Sequence, residues 1–160
     1  MRKKILSLAV LACLVVPASS ALAGGTQGPG AERTRVGIQA EDYHFMLQDG
    51  SDFPRQMDRG KYRFRFHNDS EKRLHEVVMF KLRHGKTVNQ LLSMPERKAE
   101  RHLRVMGFSF ARPGRDGKPF NAKLIRGRYV ALCFVSNRQG AKPHFLKGMM
   151  HRFNVDKPFG

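Results

Sequence analysis

Residues Gly127 to Val155 read GRYVALCFVSNRQGAKPHFLKGMMHRFNV, and both ends of this stretch alternate in the way strands do. Tyr129-Val130-Ala131-Leu132-Cys133 opens it and Arg152-Phe153-Asn154-Val155 closes it, each with the period of two that marks a strand with one buried face. The loop between them carries Lys142-Pro143-His144 and then Gly148-Met149, so one thiol, one imidazole and one thioether share a single connection. A thiolate, imidazoles and a weakly held thioether form the donor set that suits copper in an electron-transfer site. A second imidazole is available at His75, which heads the apolar run Val77-Val78-Met79-Phe80.

Working outward, the same alternation recurs upstream. Lys61-Tyr62-Arg63-Phe64-Arg65-Phe66 puts aromatics on one face and cations on the other, a strand buried on one side and wet on the other. Thr34 to Ile38, Tyr43 to Leu47 and His75 to Leu82 read as further strands. Gln48-Asp49-Gly50-Ser51, Asp58-Arg59-Gly60 and Asn68-Asp69-Ser70-Glu71 carry turn chemistry, and His84-Gly85-Lys86 ends a strand. From Thr87 the character changes: Val88, Leu91 and Leu92 recur at helical spacing. Glu96 to Met106 reads as a charged surface helix with Glu100 and Arg104 as a favourable i,i+4 pair. Pro113-Gly114, Asp116-Gly117 and Lys118-Pro119 make residues 108 to 123 mostly loop, with one short strand near Gly107 to Phe110. Short alternating strands with turn residues between them predict an all-β sandwich with a helical and loop insertion over about 87–123.

The first residues are read apart from the fold. Arg2-Lys3-Lys4, the apolar run Ile5 to Val16 and Ala21-Leu22-Ala23 have the three parts of a secretory signal, with cleavage after Ala23 and a periplasmic or secreted product. A lipobox ending at Cys13 is the weaker alternative. Residues 24–32 (GGTQGPGAE) read as a flexible leader and 33–157 as one domain. Cleavage leaves Cys133 as the single thiol, which excludes an internal disulfide. The chain carries a formal charge of +17, and three of its basic residues lie in the signal, leaving about +14 beyond it. Such a field favours encounters with anionic proteins or an anionic membrane surface, and no nucleic-acid reader motif accompanies it.

Taken singly, Cys133 reads as a buried inert thiol, His75 as an edge-strand histidine and His144 as an exposed loop residue. Their ordered combination with Met149 is what points to a metal. Zinc suits the set less well, because its usual fourth ligand is harder or charged. The pattern Gly127-x-Tyr129-x-x-x-Cys133, then His144, Met149 and a closing strand ending in Val155, resembles the cupredoxins, the blue-copper family that includes plastocyanin and azurin. Phe64-Arg65-Phe66-His67-Asn68 followed by His75-Glu76-Val77-Val78 resembles that family's other ligand strand. The resemblance covers about 33–82 and 127–155. It implies a Greek-key sandwich and one copper cycling between Cu(I) and Cu(II), held by His75, Cys133, His144 and Met149. Asn68 and Glu76 would stand behind these ligands, with Glu76 where the family often has Asn. Ten residues separate Cys133 from His144, a longer loop than in the small members, which loosens the restraint on the site.

Three functions fit: one-electron transfer to an anionic redox partner, copper buffering or delivery with another copper-handling protein, and a metal-free basic binding module. An enzyme is disfavoured, because four protein ligands leave no open position for substrate.

Overall fold

The computed structural model describes residues 32–158; the signal at 1–23 and the leader as far as residue 31 lie outside them. Five strands precede or flank a short helical pair: β1 (Thr34–Glu41), β2 (His44–Leu47), β3 (Gln56–Asn68) and β4 (His75–Leu82), then α1 (Val88–Leu92) and α2 (Glu96–Glu100), then β5 (Leu103–Ala111). They are followed by β6 (Arg115–Asp116), β7 (Phe120–Leu124), β8 (Gly127–Leu132), a 3-10 turn (His144–Lys147) and β9 (Met150–Pro158).

The architecture is the expected all-β Greek-key sandwich, in which spatial neighbours are often distant in sequence. β3 is the strand both layers share. Its second half pairs with β1 in parallel and with β7 antiparallel, from Lys61↔Lys123 to Phe64↔Phe120. Its first half pairs with β9 in parallel, with a register shift between Met57 and Arg59. The second layer then runs β9-β8-β4-β5. Asp58-Arg59-Gly60, expected as a turn, is therefore the irregularity at which one long strand passes from one layer to the other, because bulged strands bend and twist locally.

The core lies between the layers. Tyr62, Phe64 and Phe66 from β3 meet Val77 and Met79 from β4, with Tyr129 and Phe153 stacked at 5.1 Å. The Tyr129 hydroxyl donates to the Ile125 carbonyl (2.7 Å) and accepts from the Ile125 N–H (3.0 Å), pinning the entry to β8. Gly127 has φ +150° and a Cβ there would collide with the Lys81 side chain, which explains the glycine two residues before that tyrosine. A second cluster covers the outer face of β4 and β8, where Val88 of α1 packs on Phe80, Val130 and Leu132. Thr87 caps α1 through a reciprocal pair with Gln90.

The middle of the chain departs from expectation. The helix read over Glu96 to Met106 stops at Glu100, and Arg104 lies in β5, so the pair of Glu100 and Arg104 is not a helical one. The insertion is confined to the two helices, since β5, β6 and β7 occupy most of the stretch read as loop. The reason is an inverted pattern. β5 turns Ser109 and Ala111 inward and Phe108 and Phe110 outward, at 62% and 61% exposure. A register shift opposite Met79/Phe80 adds a change of parity. Small residues inside and aromatics outside do not read as a core strand.

Candidate metal centre

Three strand ends meet at one pole of the sandwich. β4 begins with His75, β8 ends just before Cys133, and β9 begins just after Met149. Because β8 lies between β4 and β9, with Leu132 opposite both Val78 and Met150, the residues at these ends become neighbours. The long loop is less loose than its length implies. The Cys133 N–H donates to the Met149 carbonyl (3.3 Å), Phe145 N–H to Cys133 (2.8 Å) and His144 N–H to Val135 (2.8 Å). These bonds zip the two ends of the loop together, and only residues 136–143 leave the ladder. Gly148, at φ +112°, closes the 3-10 turn, and Met149 N–H returns to the His144 carbonyl (3.1 Å).

His75, Cys133 and His144 form the one such cluster among the described residues, all three fully buried. Their Nδ1, Sγ and Nδ1 atoms make a triangle with sides of 3.1 Å (His75–His144), 3.5 Å (Cys133–His144) and 3.9 Å (Cys133–His75). A point equidistant from the three atoms lies about 2 Å from each, close to a metal–imidazole bond and slightly inside a metal–thiolate one. Met149 joins them through its backbone bonds to Cys133 and His144, and its side chain is fully buried. Met150 instead packs on the outer cluster, so the two adjacent methionines divide between the faces.

Burial sets the protonation of the cluster. It pushes the Cys133 thiol up to about 11, against the backbone N–H groups of Glu76 and Val135, which favour the thiolate. It takes His75 down to about 4, helped by His144 and Arg73, and lowers His144, helped by Lys147 and Arg73. Near neutral pH the three side chains are thus uncharged, and a soft cation entering the triangle would displace the thiol proton.

The surrounding side chains orient the donors. His144 Nε2–H donates to Asn137 Oδ1 at 2.6 Å, which leaves the Nδ1 lone pair facing the cluster. Asn137 Nδ2 in turn donates to the Tyr43 hydroxyl (3.0 Å), and Lys147 approaches the same oxygen (3.4 Å). The Tyr43 ring stands edge-on over His144 at 4.8 Å, with the Arg73 guanidinium 5.1 Å and the Lys147 ammonium 4.9 Å from its centroid. The Asn137 amide, with these two cations, draws its phenol below the ordinary value. Tyr43 takes this position with φ +75°, an uncommon backbone for a bulky residue. Neither Tyr43 nor Asn137 stands out in the sequence: one lies inside a strand-like run, the other in an unpatterned loop.

The two residues expected behind the ligands do different work. Glu76 Oε1 accepts the Phe134 N–H at 2.9 Å, bridging the strand of His75 to the loop of Cys133, and the Glu76 N–H donates to Cys133 Sγ at 3.5 Å. Burial raises the Glu76 carboxyl, with the Phe134 N–H opposing. Asn68, fully buried, donates to the carbonyls of Arg73 (2.7 Å) and Ala111 (2.9 Å), fixing the turn that delivers His75. His44, His67, His84, His102 and His151 lie outside the cluster.

Compared with protein-family models and with curated proteins, the sequence matches none. Among solved structures, it is similar to a dithionite-reduced auracyanin from the photosynthetic bacterium Roseiflexus castenholzii. That match has 17% identity and a TM-score of 0.51, and covers 79% of this chain and 99% of that one. A reduced rusticyanin matches at 14% identity and a TM-score of 0.53, over 79% of this chain and 82% of that one. Rusticyanin from Thiobacillus ferrooxidans matches at 14% identity and a TM-score of 0.52, over 83% and 86%. Likeness at this level of identity is a likeness of fold, and with the strand order above it makes the chain a protein of cupredoxin fold.

Proposed function

We propose that the protein is a one-electron carrier built around a single copper held by His75, Cys133, His144 and Met149. The observation that carries this reading is the buried triangle of two Nδ1 atoms and one thiol, a shape and donor set that fit one copper ion. When bound, copper supplies a single electron in passing between Cu(II) and Cu(I). The chain keeps water from the donors, fixes the His144 tautomer through Asn137 and links the two ligand segments through Glu76 and Phe134. Because three strand ends and a zipped loop hold the donors, little needs to move when the charge changes. The auracyanin and rusticyanin likenesses support the fold in which such a site would be housed, and both of those structures are of the reduced protein. The partner on this reading is a redox protein with an anionic contact surface, drawn by the basic field.

Adding Cu(II) to the purified protein tests it. An intense visible thiolate-to-copper band, absent in Cys133→Ser, is expected. Tight Cu(I) binding without that band would make the protein a copper buffer or delivery factor, and no binding of either ion would leave a metal-free module. Export is part of the same reading. Sequencing the N-terminus of protein recovered from outside the cytoplasm is expected to begin at Gly24, and an intact Met1 would remove it.

A further inference from the structure

The outer face of the layer formed by β1, β3 and β7 is cationic to a degree the fold does not require. Lys61, Arg63 and Arg65 are exposed on β3, alternating with the buried Tyr62, Phe64 and Phe66. Cross-strand register puts cations directly beside them: Arg35 of β1 opposite Arg63, and Lys123 of β7 opposite Lys61. Like charges facing each other across a ladder destabilise a sheet. No acid relieves them, since the ion pairs among the described residues involve only His67 and Arg73. The acid-free zone stops at His67, whose Nδ1 meets Asp116 at 2.8 Å on the side toward the metal cluster. From Lys61 to Arg65 the array runs ~13 Å along β3 and extends across three strands.

The other outward positions decide what such a face would meet. They are Asn121 and Gly37, the latter covered by the Gln48 side chain. The centre of the face therefore lacks the aromatic or aliphatic anchor of a specific protein interface; an exposed aliphatic, Ile125, stands only at its margin, just past the end of β7. It also lacks exposed rings on which bases would stack, the aromatics of β3 all pointing into the core. A flat, rigid array of bare cations fits a plane of fixed negative charge. We propose that Arg35, Lys61, Arg63, Arg65 and Lys123 form a docking face for a bilayer rich in anionic phospholipid. The charged side chains of the face make this contact at the headgroups. With the face laid on the bilayer, the pole bearing His75, Cys133 and His144 sits at its rim rather than beneath it. A redox partner at the same surface can then reach that pole. The inference does not depend on copper.

Co-sedimentation of the full chain with phosphatidylglycerol–phosphatidylcholine vesicles, minus its binding to pure phosphatidylcholine, is the test; every variant carries the same N-terminal run with its Arg2-Lys3-Lys4, so that contribution cancels when variants are compared. At about 0.1 M salt, where exposed charges act over about 10 Å, each cation removed from the face should weaken binding about fivefold. The pair Arg63→Gln/Arg65→Gln is then expected to lose about 25-fold. Arg97→Gln/Lys98→Gln on α2 removes the same charge and is expected to lose less than twofold. Lys61→Gln should leave the thermal midpoint unchanged or raise it, because it relieves a like-charge pair. Equal losses in the two double variants would overturn the proposal in favour of bulk charge. So would equal binding to both vesicle types, or tighter binding of polyglutamate or duplex DNA through the same five residues. Loading with copper should change none of these results, so failure here leaves the electron-carrier reading standing, and the reverse.

Discussion

His75 and His144 aim the same atom, Nδ1, at the same point from two different kinds of support. His75 heads β4, paired to Ala111 of β5, and its Nε2 is buried without a hydrogen-bond partner. His144 stands in a one-turn 3-10 segment, and its Nε2–H is held by Asn137 from the excursion of the loop. Backbone pairing and packing therefore place the first imidazole, at the cost of an unsatisfied nitrogen. Backbone bonds to Val135 and Met149 place the second, and a single returning side chain orients its ring. Rigidity and polar satisfaction are divided between two imidazoles that face the same point.

The largest consequence is a pH dependence of the metal-free protein. His75 titrates at about 4 when folded, against an ordinary 6.5, because burial disfavours its charged form. The unfolded chain thus binds the extra proton first. The contribution of His75 to stability is unchanged above pH 6.5, falls as the pH drops from there to about 4, and is then level. The loss is up to about 3 kcal/mol from this residue, and His144, lowered for the same reason, adds to it in the same direction. Urea unfolding of the metal-free protein should show the decline, and His75→Phe should flatten most of it. An unchanged slope in that variant would mean that His75 is not the buried group that resists protonation.

Next comes the ligand that depends on a side chain. Asn137→Ala leaves the His144 tautomer unfixed and removes the link to Tyr43. Copper affinity, measured by chelator competition, is expected to fall about 10- to 100-fold, the usual cost of losing the partner that orients a ligand. Asn137→Gln should recover little, since its longer arm displaces a bond of 2.6 Å. A variant that bound copper as tightly as the parent would erase the distinction between the two histidines.

Both histidines were legible in the sequence, and the reason is chemical. His75 and Cys133 border runs whose alternation marks strands, and His144 and Met149 lie on the single connection between β8 and β9, so pairing fixes where all four meet. Of what surrounds them, Asn68 and Glu76 were legible, but Asn137 and Tyr43 were not. Asn137 acts only because the loop folds back, and the polar span Ser136-Asn137-Arg138-Gln139-Gly140 carries no periodicity to reveal that. Tyr43 depends on a positive φ that nothing in Glu41-Asp42-Tyr43-His44 demands. β5 escaped for the opposite reason: its pattern is regular, but its large side chains face out and its small ones in. Sequence alternation reports a strand when its apolar side is also its buried side.

The smallest effect concerns the tie between the two supports. Glu76 spans from the strand of His75 to the loop of Cys133 by accepting the Phe134 N–H. The asparagine common at this position in the cupredoxins that the sequence resembles would give a neutral acceptor, whereas a carboxylate adds negative charge beside the proposed copper. Glu76→Gln keeps an acceptor oxygen and removes the charge, so fold stability should change by no more than about 0.5 kcal/mol. The reduction potential of the copper-loaded protein should rise, because the carboxylate favours the more highly charged Cu(II). Glu76→Ala removes the acceptor as well and strands the Phe134 N–H, at about 1–3 kcal/mol. If voltammetry found the same potential in Glu76→Gln and the parent, the carboxylate would be serving only as an acceptor. The bridge would then carry geometry between the two ligand segments and no electrostatic tuning.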